Sequence, residues 1–185
     1  MAIKVSVYGA DKDSDEYNAA LKLKKIIQDT TSDSAIGEII LFASATLYGQ
    51  AVKDVDLMML GSLQNYNLNA QFNDKDGNRI NDTVSIQNFC TVIEIKRHDI
   101  SGIVLNGMDF YVKYGGDLHC VTQQSNKQKI SAMNFFISAL SFSPFITNII
   151  WFTQVTSSDI DALLVNNGRR LPSNVIGADF DFKDI

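Results

Sequence analysis

Two apolar runs carry the only side chains in this sequence whose types and spacing suggest a shared task. In Thr91-Val92-Ile93-Glu94-Ile95-Lys96 a carboxylate and an amine stand two residues apart in an otherwise apolar stretch. Strand side chains alternate faces, so Glu94 and Lys96 project from one face while Ile93 and Ile95 point the other way into a core. Upstream, the run from Val52 to Leu60 places Asp54 and Asp56 where the chain turns purely apolar. A polar, Gly- and Asn-rich segment from Gly61 to Asp82 separates the two runs, so they are expected to pair as a long hairpin that brings Asp56 beside Glu94 and Lys96. Carboxylate oxygens are hard ligands of the kind Mg²⁺ takes, and an ammonium beside them balances negative charge. The plainer alternative is an ion pair of Glu94 and Lys96 on the solvated face of an edge strand.

The elements that must hold these residues follow from pattern. Met1 to Tyr8 alternates as a strand does, and is too short and too alternating for a signal peptide. Asp13 or Ser14 then caps a helix whose stripe is Ala20, Leu21, Leu23, Ile26 and Ile27. A second helix is expected from Ser32–Ser34 through Ile36-Gly37-Glu38-Ile39-Ile40-Leu41-Phe42 toward Leu47, with Glu38 at the edge of its buried face. After the two long strands come short ones at Gly102–Leu105, Phe110–Tyr114 and Leu118–Val121, turned by Gly107, Gly115 and Gly116. A helix begins around Ser125–Gln128, a strand around Trp151 covers Ile146 to Val155, and Ser157 or Ser158 caps a short helix through Val165. Helices beside long antiparallel strands make an α/β architecture with a mixed sheet.

Composition narrows the function. The 185 residues are 45% hydrophobic, enough for one sizeable core, so residues 1–185 read as a single domain. The end Phe180-Asp181-Phe182 is odd for a free tail and fits a domain excised from a longer protein. The formal net charge of −5 offers no basic surplus to attract nucleic acid, although a bound cation inverts the local field of a carboxylate cluster. Cys90 and Cys120 lack any C-x-x-C spacing, which points away from zinc and disulfides and toward a reducing, cytoplasmic location. Ile130 to Ser158 holds no charged residue, yet its serines, Asn134, Pro144 and Asn148 break it into helix then strand rather than a membrane span.

Gly37-Glu38 on a helix, Asp56 leading an apolar strand, Glu94-Ile95-Lys96 on the next and Asn126-Lys127-Gln128 opening a helix, taken in that order, resemble the nuclease-related domain of the PD-(D/E)xK superfamily. The likeness spans about Ser34 to Val155. It implies a restriction-endonuclease-like core, a mixed central sheet flanked by helices, and a divalent-metal-dependent deoxyribonuclease that hydrolyses phosphodiester bonds. It implies that Glu38, Asp56 and Glu94 ligate or assist Mg²⁺ or Mn²⁺, that Lys96 orients water or stabilises developing charge, and that Gln128 positions water or a phosphate oxygen. DNA is the implied substrate, and a helicase or ATPase module is the implied companion. Two-fold dimers are common among such nucleases, though no feature of this sequence demands one.

The chain departs from that pattern in places. Val55 replaces the proline before Asp56, and Lys127 stands where a proline usually precedes the glutamine. Asp54 shares a strand face with Asp56 and is the alternative ligand; Asp56 is preferred because the apolar run starts directly after it. A catalytically inactive, nuclease-like DNA-binding or protein-interaction module is the first competing reading. The second is a small-molecule-binding α/β protein in which these charges are surface ion pairs. Lys96-Arg97-His98 is either a phosphate-contacting patch or a charged strand end in water. The oxygen-rich run Asn73 to Asn78 lacks the closing glutamate of a calcium loop and reads as a solvated loop.

Overall fold

The computed structural model describes residues 3–9, 11–31, 34–73, 79–141, 145–165, 168, 172 and 174–185, with the backbone alone for 70–73. The run considered for calcium lies largely outside them, at residues 74–78. Two sheets and three helices make up the described residues, a mixed α/β arrangement.

The larger sheet contains β1 (Lys4–Tyr8), β2 (Ile36–Thr46), β3 (Asp54–Asn73), β4 (Arg79–Lys96), β8 (Ile146–Phe152) and β9 (Val175–Ile176), in that spatial order. β1 runs parallel to β2, β2 to β4 are successively antiparallel, and β8 lies parallel to β4 on one side and β9 on the other. The smaller sheet is the meander β5 (Ile103–Asn106), β6 (Asp109–Tyr114) and β7 (Asp117–Cys120). Its turns fall at the glycines, which adopt left-handed φ of 65° at Gly107, 59° at Gly115 and 96° at Gly116. Consecutive positive values are what a two-residue primed hairpin turn requires.

Helix α1 (Asp15–Thr30) starts where Ser14 Oγ accepts the Tyr17 amide at 3.1 Å, and it buries Ala19, Ala20, Leu23 and Ile27. Leu21, placed in that stripe by pattern, is exposed. The buried face meets Ile39, Leu41, Leu57, Met59, Ile93 and Ile95 on one side of the sheet. Helix α2 (Val121–Leu140) covers the other side, where Val55, Met58, Val92 and Ile146 lie. It begins four residues before the expected Ser125, directly after β7. In α3 (Ser157–Val165) the cap is Thr156, not Ser157 or Ser158: its hydroxyl accepts the Asp159 amide while Asp159 Oδ2 accepts the Thr156 amide.

Two expectations fail. Residues 36–46 form strand β2, not a helix. β2 lies inside the sheet between β1 and β3, one face buried at Ile39, Leu41 and Ala43 and the other half-buried at Ile40 and Phe42, so the apolar residues of Ile36–Phe42 satisfy helical and extended spacing alike. The polar stretch after Gly61 is paired too: β3 and β4 continue as a two-stranded ribbon from Tyr66↔Ile86 to Asn73↔Arg79, past a bulge between Ser62 and Tyr66. At the ribbon base Phe182, in the C-terminal 3₁₀ turn, packs on Tyr66 and Phe89 with centroids at 5.5 and 6.5 Å. The C-terminal segment is thus part of the core, as its aromatic residues suggested.

Candidate metal and phosphodiester site

β3 and β4 assemble the centre of the site. Their register pairs Leu57 with Ile93, and one residue further along Asp56 and Glu94 meet. Asp56 Oδ2 accepts the Ile95 amide at 2.8 Å, which pins this carboxylate to β4. Glu94 sits between β3 and β8, with Ile150 as its parallel neighbour, and has 0% exposure. β4 is an interior strand, so the picture of an ion pair on a solvated edge does not hold. Lys96 Nζ does contact Glu94 Oε1, but as a half-buried amine against a fully buried acid. Beyond Lys96 and the Gln128 amide, no hydrogen-bond donor reaches either oxygen of Glu94.

Helix α2 closes this face with Val121, Ser125, Gln128, Ser131 and Ala132, spaced so that one stripe faces the sheet. The small residues let the helix approach closely. Gln128 is buried: its Nε2 donates to the Asp54 carbonyl at 3.4 Å, its amide acts on Glu94, and its Oε1 has no partner. Ser131 Oγ accepts the Val52 amide, and Asn148 on β8 donates to Ser125 Oγ and Asn126 Oδ1. The Asp54 side chain itself is exposed, leaving Asp56 as the acid that faces Glu94.

Burial sets the electrostatics. It pushes the Glu94 carboxyl up to about 7; the nearby Asp56 charge adds to this and Lys96 opposes it. Asp56 is also raised, chiefly by burial, with the Ile95 amide and Lys96 pulling the other way. The Glu16 charge raises Asp56 as well, which locates the first turn of α1 at the edge of the cluster.

Of the five residues expected here, Asp56, Glu94, Lys96 and Gln128 converge and Glu38 does not. Glu38 is on strand β2, paired to Lys4 through an exposed ion pair of 2.8 Å, and its antiparallel partner is Ser62. Ser62 is six residues along β3 from Asp56, about 20 Å at the rise of a strand. Glu16, on the first turn of α1, is the helical acid whose charge reaches Asp56, as the smallest of the causes acting on it. Its signal was present in the sequence, two residues past the Ser14 cap on the helix preceding the strands, but it was obscured once residues 36–46 were read as that helix. Among the described residues no group of three or more His, Cys, Asp and Glu side chains is close enough to hold a metal by itself.

The strand end beyond Lys96 forms the mouth. Arg97 pairs with Asp15 on α1, both half exposed, and His98 Nε2 lies 3.2 Å from the Lys113 carbonyl on β6. Lys96, Arg97, Glu16, Tyr114, His119 and Gln124 line an open cavity of about 290 Å³. No helix among the described residues is long and apolar enough to cross a membrane. No protein-family model matches the chain, and no curated protein or solved structure matches it either.

Proposed function

We propose that this chain is a divalent-metal-dependent deoxyribonuclease of the PD-(D/E)xK kind, which hydrolyses phosphodiester bonds. One observation carries the reading: Asp56, Glu94, Lys96 and Gln128, from three separate elements, meet on one buried face, with Glu94 fully closed from solvent. The element order α1-β2-β3-β4-α2-β8 agrees with it, since it sets a helical acid, a strand aspartate, an E-x-K strand and a helical glutamine in sequence. Two carboxylates beside a carboxamide suit Mg²⁺ or Mn²⁺, which takes one or two protein carboxylates and keeps several waters. When bound, the ion would polarise the phosphate and activate water.

The chain's own groups have separable parts in this reading. Asp56 and Glu94 hold the cation, and Glu16 adds negative charge at its edge. Lys96 places a positive charge against Glu94, where negative charge develops on the phosphate oxygens. Gln128 fixes water or a phosphate oxygen through its free Oε1 or its amide. The apolar walls, Val92 and Ile150, keep the site dry and its electrostatic interactions strong. A helicase or ATPase companion belongs to the same proposal and rests on the family resemblance alone.

The inactive-module reading draws on one fact, the complete closure of Glu94 behind Lys96. Cleavage of plasmid and single-stranded DNA in Mg²⁺ or Mn²⁺ separates the two. Metal-dependent cutting by the parent protein, lost in folded Glu94→Ala and Lys96→Ala proteins, is the expected result. A parent that cuts nothing, or variants that cut equally well, would sink the catalytic claim.

A further inference from the structure

The mouth of the site has a wall that the metal chemistry does not require. Turn residues Gly115 and Gly116 fold β6 back on β7 and set Tyr114 and Asp117 as the closing pair of the hairpin. Tyr114 is 72% exposed, and its ring meets His119 edge to face at 6.0 Å. Both line the same cavity as Lys96 and Arg97, and Lys96 also touches Glu94. The hairpin is tied to the site, because His98 at the end of β4 bonds the Lys113 carbonyl next to Tyr114.

An exposed ring can stack on a flat ligand, and in a cavity lined by Lys96 and Arg97 together with Asp15 and Glu16 a negative charge on that ligand has a partner once Arg97 releases Asp15. An unpaired nucleotide has both. Its base stacks on an aromatic ring whatever its identity, while its phosphate meets a cation, the recurrent chemistry of single-strand binding. A base inside a duplex has both faces covered by its neighbours and cannot offer one to Tyr114. Arg97 is committed only to a surface pair with Asp15, the type of pair worth little, so a phosphate can displace it.

Building on the nuclease reading, we infer that this cavity holds an unpaired nucleotide beside the scissile phosphate, with Tyr114 stacking its base and Arg97 meeting its phosphate. The substrate is therefore single-stranded DNA, or DNA with a single-stranded end, gap or flap.

The test has two arms. In the first, a single-stranded oligonucleotide and its matched duplex are cleaved in Mn²⁺ by the parent, Tyr114→Ala and Tyr114→Trp proteins. The parent should prefer the single strand, and Tyr114→Ala should lose about 5- to 150-fold in kcat/KM on it, mostly through KM, the range expected for one stacked base. Tyr114→Trp should keep activity near the parent level. In the second arm, a fluorescent oligonucleotide is titrated into Glu94→Gln protein with and without the Tyr114→Ala change. Binding that weakens by the same factor supports the stacking role even if cleavage is absent, in which case only the nuclease reading falls. Duplex cut as well as single strand, or oligonucleotide binding indifferent to Tyr114→Ala, overturns the inference, while the nuclease reading is decided separately by whether the parent cuts DNA in Mn²⁺.

Discussion

Replacing Glu94 with glutamine should stabilise the protein at alkaline pH and not at acid pH. Burial lifts this carboxyl from 4.5 to about 7, so between those values the folded chain binds a proton that the unfolded chain has released. Where the folded state binds more protons, stability falls as pH rises, and the fall is complete above pH 7. At about 1.4 kcal/mol per pH unit the shift amounts to a ceiling of about 3 kcal/mol. Glutamine keeps the shape and never ionises, so the variant escapes this loss. The Lys96 ion pair forms only where Glu94 is ionised, and its favourable effect is already contained in the value of about 7, so the net loss with rising pH remains. The slope of the difference is therefore the readout. Urea or thermal denaturation in EDTA at pH 5, 6, 7 and 8 should show the variant gaining on the parent by up to about 3 kcal/mol, or about 6–12 °C at the rate of 2–4 °C per kcal/mol typical of this size. A difference that stays flat across that range, or that shrinks with rising pH, would refute the account of Glu94 as a buried, ionisable acid.

Three further expectations concern the same architecture. Because a metal ligand must be deprotonated, millimolar Mg²⁺ or Mn²⁺ should raise the parent Tm more at pH 8 than at pH 6, and should not raise that of an Asp56→Asn, Glu94→Gln protein; equal shifts in both proteins would place the ion elsewhere. A Cβ on Gly61 would stand 2.1 Å from Phe89 Cζ, so Gly61→Ala should cost roughly 1–3 kcal/mol in urea unfolding, and Phe89→Ala in the same chain should recover part of it. Phe182→Ala removes a buried ring from Tyr66 and Phe89 and should lower stability by about 3 kcal/mol; an unchanged urea midpoint would show that the C-terminal segment does not brace the ribbon.

Local rules sufficed where one feature dominates its surroundings. The two-residue spacing of Glu94 and Lys96 in an apolar run already dictated a shared face, and the run of strands after Gly102 was legible because glycines mark each reversal. Of the two caps the sequence offers, Asp13 or Ser14, the structure uses Ser14 to start α1, and the serines and proline after Leu140 separate helix from strand despite the lack of charge. Only the tertiary structure assigned residues 36–46 to a strand, since an interior strand with apolar residues on both its buried and its half-buried face loses the sequence periodicity that distinguishes strand from helix. The helical reading of that segment also made Glu38 the helical acid, whereas the acid on a helix whose charge reaches Asp56 is Glu16 on α1. The ribbon beyond Ser62 was hidden for the opposite reason: its strands are largely solvated and polar, and only cross-strand pairing defines them. The chemistry of Glu94 is tertiary as well. Sequence placed a carboxylate on a strand, but its raised pKa comes from Ile150, Val92, Asp56 and α2 closing over it, because desolvation is a property of the assembled core and not of any segment.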